Sequence, residues 1–163
     1  MQSSARNQFK GSVSHISHGI VTDEVQIRTE HNAELVATIT HGSAVSLGLK
    51  AGSTVIAMVK APSVMVVTNC EGVRFSARNQ LNGKITRIKP GAVNAEVTID
   101  AQGLQVVAMI TQESTRNTLV NLLNCASSTR KMRKNSGIMI LLVFSMLWAP
   151  RNSVSRVPTT TMM

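Results

Sequence analysis

The chain has 163 residues, 43% hydrophobic and 15% charged, which suits one ordinary domain or two small ones and excludes a disordered polar chain. Aromatics are only 2%, with no Tyr, which argues against a platform of stacked rings; the two cysteines, Cys70 and Cys125, can by themselves form neither a disulfide framework nor a four-ligand zinc site. The net charge of +9 is uneven: the last forty residues hold six Lys/Arg and no acid, so the basic character belongs largely to the C-terminal end and is no nucleic-acid signature of the whole chain.

No apolar core segment follows Met1, so no secretory signal is read and a cytoplasmic protein is expected. The first seventy residues read as β structure. Phe9 to Ile16 alternates, and Val21, Asp23, Val25 and Ile27 form a second alternating set. Leu35, Ala37 and Ile39 form a third. Ser43–Leu47 reads as one helical turn, with Ser43 as its N-cap and Gly48 as its stop. Thr54 to Lys60 is a fourth strand, Ala61-Pro62-Ser63 a turn, and Val64–Val67 a short fifth strand. Five short strands and one helical turn suggest a small Greek-key barrel of the OB type.

The chain then repeats itself. Ser4-Ala-Arg-Asn-Gln8 recurs as Ser76-Ala-Arg-Asn-Gln80, 72 residues later. Gly11, Ile16, Gly19, Val21, Glu24, Val25 and Ile27 recur at the same offset. After a one-residue deletion, Val36, Ala37, Ile39, Thr40 and Ser43 recur as Val107, Ala108, Ile110, Thr111 and Ser114. Seventeen identities in register define two copies of one module. After Ser114 the second copy loses the pattern: the Gly-Leu-Lys-x-Gly segment and the strand ending in Lys-Ala-Pro-Ser have no counterpart. The expected fold is therefore all-β, two tandem OB-like barrels, the second incomplete. Expected boundaries are 3–68 and 75–120, followed by an atypical basic and apolar tail at 121–163. That tail reads either as the product of a shifted reading frame or as a basic extension with a membrane-seeking run. The apolar run Ile138–Ala149 is short of the roughly 20 residues a spanning helix needs, so a membrane partner is not expected.

The repeated pentad joins a hydroxyl, a fixed cation and two amides. Arg stays ionised and offers planar donors suited to oxyanions. Thr40 and Ser43 add hydroxyls beside a helix start, whose N–H groups also attract anions. Lys60 adds a second cation at a strand end. Together these donors could enclose a small dianion, with no acidic residue among them. Taken singly, Arg6 and Arg78 could equally be surface charges or pair with Glu24 and Glu96, and the hydroxyls could be simple caps. His15, His18, His31 and His41 have no matched histidines in the second module, where Arg87, Pro90 and Gln112 stand at three of those places, so no metal site is expected. No nucleophile constellation, phosphate loop or carboxylate pair is present, which argues against an enzyme.

The pentad followed by Phe/Leu-x-Gly, then Gly-x-Val-x-x-Glu-Val, Ile-Thr-x-x-Ser, Leu-Gly-Leu-Lys-x-Gly and Val-Lys-Ala-Pro-Ser-Val, resembles the Mop domain, the TOBE-type molybdate-binding module of the molbindins. The tandem pair is similar to the effector half of molybdate-responsive regulators of the ModE type. The resemblance spans 3–67 in full and 75–117 in part. It implies OB-like barrels that bind molybdate, or near-isosteric tungstate, at module or subunit interfaces. The contacts it implies are Ser4, Ala5, Arg6, Thr40, Ser43, Lys60 and Ala61 in the first module, and Ser76, Ala77, Arg78, Thr111 and Ser114 in the second. No second lysine matches. The family implies a homo-oligomer, a trimer if the second barrel closes. Because the first module starts at Ser4, the expected role is intracellular oxyanion storage and homeostasis. The alternatives are a fragment of a molybdate-responsive regulator or an OB-type nucleic-acid-binding module. Against the last, residues 1–123 offer only Phe9 and Phe75 for base stacking, so no specific nucleic acid is expected.

Overall fold

The computed structural model describes residues 3–68, 73–116, 138–142 and 146–149. The expected β class holds, and the strands form two five-stranded sheets. In the first module β1 (Asn7–Ser17), β2 (Thr22–Thr29) and β3 (Glu34–Thr40) form an antiparallel meander. A short helix, α1 (His41–Ser46), follows, and β4 (Thr54–Val59) returns to pair with β1. A 3-10 turn at Ala61–Ser63 leads into β5 (Val64–Val67). Pro62 lies at the start of that turn, where a missing N–H costs nothing.

The second module repeats the meander with β6 (Asn79–Lys89), β7 (Asn94–Ala101) and β8 (Leu104–Thr111). Gly11 and Gly83 recur for a steric reason: a Cβ at either would collide with the neighbouring strand's backbone, the carbonyl of Arg28 or of Asp100. The one-residue deletion also has a place. β7 and β8 are joined through Gln102 and Gly103, both at positive φ (57° and 90°), where the first module spends a longer turn with Asn32 at 63°.

The helix cap differs from expectation. Thr40, not Ser43, is the N-cap, because Thr40 retains extended backbone and its side chain accepts from the Ser43 amide. Gly48 is the stop, at φ +60°.

The sheets are completed by exchange. The apolar run that lies outside the repeat supplies β9 (Ile138–Leu142) and β10 (Met146–Trp148). The strand orders are β10-β4-β1-β2-β3 and β5-β9-β6-β7-β8. β9 thus stands against β6 as β4 stands against β1: Asn7 faces Val59 and Gly11 faces Val55, while Asn79 faces Leu142 and Gly83 faces Ile138. β5, expected to close the first barrel, instead pairs with β9 in the second sheet, and β10 pairs with β4 in the first. The exchange follows from burial. Val64 at the head of β5 and Leu147 in β10 both enter one core that also holds Phe9, Ile27 and Leu35 of the first module and Ile99, Val106 and Ile140 of the second. Modules this small gain by sharing such a core, because each buried Val, Leu or Ile contributes roughly 1.5–3 kcal/mol.

Candidate functional site

The start of each module is held by the third strand of the other. Buried Asn7 donates from Nδ2 to the Val107 carbonyl (2.8 Å) and accepts at Oδ1 from the Val107 amide (2.7 Å). Asn79 does the same with Val36, at 2.8 and 2.6 Å, and also donates to the Leu142 carbonyl at 3.3 Å. β3 and β8 are edge strands, and each asparagine amide pairs with backbone there as a further strand would. That explains why Asn recurs inside the pentad, a role the sequence does not announce.

The arginines follow the same crossing. Arg6 forms an ion pair with Glu96 of the second module, and Arg78 pairs with Glu24 of the first at 3.1 Å. Both pairs are half-exposed, so they orient the guanidinium groups more than they stabilise the fold. They also correct one expectation: acidic side chains do sit among the donors.

Each pentad is therefore directed along the strand that leads to the other module's Thr/Ser loop. Glu96 faces Met109 in the β7–β8 ladder, two residues before Thr111. Glu24 faces Thr38, two residues before Thr40. At about 3.3 Å per strand residue, each arginine's partner is roughly 7 Å along the ladder from a loop hydroxyl. Within one module, Arg6 and Thr40 are not brought together: Arg6 precedes the start of β1, while Thr40 pairs with Thr22 beyond its far end.

The loops themselves are matched. The Thr40 and Ser43 hydroxyls lie 2.7 Å apart, and the Ser43 amide donates to Thr40 Oγ1 at 3.2 Å. Thr111 donates from Oγ1 to Ser114 Oγ at 2.8 Å, with the Ser114 amide on Thr111 Oγ1 at 3.1 Å. All four side chains are on exposed residues and can turn to a ligand. Thr40 and Ser43 line an open cleft whose wall includes Leu147 of β10. Ser4 and Ser76 are exposed, Ala5 is buried and Ala77 half-buried. Gln8 and Gln80 pin these turns by donating to the Ala5 and Ala77 carbonyls (3.1 and 2.7 Å). Lys60 is exposed and follows Val59, which faces Asn7, so it stands beside Arg6. Buried Ala61 opens the 3-10 turn, which packs on β8.

The two crossings set Arg6, with Lys60 beside it, against Glu96 of the second module, and Arg78 against Glu24 of the first. In the sequence Lys60 follows Val59 of β4, whereas Val143 follows Leu142 of β9.

A third group was not legible as a site in the sequence. Asp23, fully buried, takes His18 Nδ1 at 2.9 Å, His41 Nδ1 at 3.0 and 3.2 Å, and the Gly19 amide at 3.2 Å. Burial works against the Asp23 charge, yet the hydrogen bonds from His18, His41 and Gly19 and the attraction of His41 bring its pKa below the usual carboxylate value. The available signal was a joint absence: Pro90, Ala95 and Gln112 replace all three in the second module.

Among the described residues no helix is long and apolar enough to cross a membrane. The TOBE domain profile matches residues 3–66 and 76–118. The molybdenum transport protein ModE of Azotobacter vinelandii is 43% identical over 115 residues, which cover 70% of this chain and 42% of that protein. The molybdenum-pterin-binding protein MopA of Rhodobacter capsulatus is 34% identical over 115 residues, covering 70% and 43%. The chain thus spans about two fifths of the length of these curated relatives. Among solved structures, the cytoplasmic molybdate-binding protein ModG, with molybdate bound, superposes with a TM-score of 0.77 at 38% identity, covering 92% of this chain and 100% of that one.

Proposed function

Because the chain belongs to the TOBE-domain family, we propose that it binds molybdate, or tungstate, as an intact oxyanion at its inter-module faces and holds it for intracellular storage and homeostasis. The observation that carries this reading is the crossed arrangement of Arg6 and Lys60 toward the Thr111–Ser114 loop of the other module. Ser4, Ala5, Arg6, Lys60, Ala61, Thr111 and Ser114 serve the first face. Ser76, Ala77, Arg78, Thr40 and Ser43 serve the second.

The chemistry is recognition without reaction. Arginine and lysine supply charge, and hydroxyls and backbone N–H groups fix the tetrahedral oxygens through charge-assisted hydrogen bonds, each about 1.5–3 kcal/mol. The carboxylates of Glu24 and Glu96 must yield their arginines, wholly or in part, to the incoming anion. Sulfate offers similar acceptors on a smaller frame, so selection rests on cavity size. The relatives are named for transport and binding, which supports a non-catalytic role. The cytoplasmic setting of ModG supports the same setting here. The exposed Ile20, Val21 and Val45 of the first module support assembly of several chains.

Native mass spectrometry and calorimetry with molybdate, tungstate and sulfate test the reading. Molybdate bound in whole numbers per assembly, with sulfate at least tenfold weaker, is the expected result. No molybdate uptake, or equal affinity for sulfate, overturns it.

A further inference from the structure

We propose that the first module carries a divalent-cation site of the zinc class, formed by His18, Asp23 and His41. The three side chains come from different places: the residue after β1, the second residue of β2, and the first residue of α1. Their ligand atoms all lie within 4.8 Å of one another. Both imidazoles present Nδ1 to the carboxylate, at 2.9 Å for His18 and 3.0 Å for His41. A tetrahedral zinc ion with bonds of about 2.0–2.1 Å needs ligand atoms about 3.3 Å apart, so small side-chain movements admit the ion.

The surroundings fit a metal centre as well as the distances do. Asp23 is fully buried, while His18 and His41 are 62% and 45% exposed, so the carboxylate forms the floor and the imidazoles an open rim. Three protein ligands leave a fourth position to water. The Gly19 amide, donating to Asp23 Oδ1 at 3.2 Å, supplies the outer hydrogen bond that orients a ligating carboxylate. The two rings meet edge to face, 5.8 Å between centroids and 86° between planes, and so converge without stacking. Two imidazole nitrogens and one carboxylate oxygen favour Zn²⁺, Co²⁺ or Ni²⁺ over Mg²⁺ or Ca²⁺.

The second module argues that the fold does not require this group. Ala95, also fully buried, occupies the place of Asp23 in an otherwise matching strand, and Pro90 and Gln112 replace the histidines. At the His41 position the Gln112 Oε1 is buried with no hydrogen-bond partner among the described residues. A barrel of this type folds around alanine there, so the fold alone does not call for the buried carboxylate and its two imidazoles. The inference does not depend on the oxyanion reading, since none of the three side chains is among the proposed anion contacts.

The test uses the untagged full chain, stripped with a chelator, in a Cys70→Ser/Cys125→Ser background so that thiols contribute nothing. Co²⁺ is titrated and followed by its visible absorption, and Zn²⁺ is titrated by calorimetry. One ion per chain is expected. His18→Ala and His41→Gln should each weaken Zn²⁺ at least tenfold, while His15→Ala and His31→Ala leave it unchanged. Circular dichroism of the metal-free variants checks folding; should His41→Gln fail to fold, the exposed His18→Ala decides. Absence of a one-per-chain site in the parent chain, or unchanged affinity in His18→Ala, overturns the proposal.

Discussion

The strands β4 and β9 occupy the same place in their two sheets yet share almost no sequence. Thr54-Val-Ile-Ala-Met-Val59 pairs with β1, and Ile138-Met-Ile-Leu-Leu142 pairs with β6 in the same register. Their burial runs in parallel: Val55, Ala57, Met58 and Val59 are buried with Ile56 intermediate, and so are Ile138, Ile140, Leu141 and Leu142 around Met139. A strand buried on both faces needs apolar bulk and a free backbone, and many sequences supply that. The residue that follows is another matter. In the sequence Lys60 follows β4, whereas the apolar Val143 follows β9.

Removing the replacement strand's central contact is the severest way to break the equivalence. Ile140→Ala empties a fully buried site between β5 and β6 and should cost about 2–5 kcal/mol in urea unfolding. A loss below about 1 kcal/mol would mean that β9 is not an integral strand of the second sheet. The paired asparagines sharpen the comparison next. Asn7→Ala unpairs both backbone groups of Val107, and Asn79→Ala unpairs those of Val36 and a bond to Leu142 as well, so losses of about 2–4 kcal/mol are expected, larger for Asn79. Equal losses would remove β9's part in that difference. The smallest effect in energy is the one closest to function. Arg6→Ala should weaken molybdate at least tenfold, about 1.4 kcal/mol, and Lys60→Ala should act on the same binding phase. Arg78→Ala should affect a separate, weaker phase, because no lysine of the second repeat matches Lys60. Isotherms that respond identically to Arg6→Ala and Arg78→Ala would erase the proposed inequality of the two faces.

Much of this was legible in the sequence. Alternation such as Val21-x-Asp23-x-Val25-x-Ile27 marks a strand because the pleat sends successive side chains to opposite faces. The recurring pentad and the Thr-x-x-Ser loops mark the candidate anion donors, and the structure crosses the arginine of each pentad to the other module. Glu24 and Glu96 were visible as possible partners of the arginines, but not the crossing that joins each arginine to the other module's acid. His18 and His41 lack matching histidines in the second module, and nothing in the chain order shows that the Asp23 carboxylate between them assembles the group.

The amino-acid order by itself determined the duplication, the β class, the positions of the turns and the inventory of donors, because these depend on residues close together in the chain. Tertiary structure alone decided that β5 and β10 change places, that Asn7 and Asn79 cross to foreign edge strands, and that His18, Asp23 and His41 converge. Pairing between distant strands is selected by the apolar surface that can be buried together and by the unpaired backbone left at an edge. Both quantities exist only once the rest of the core is in place.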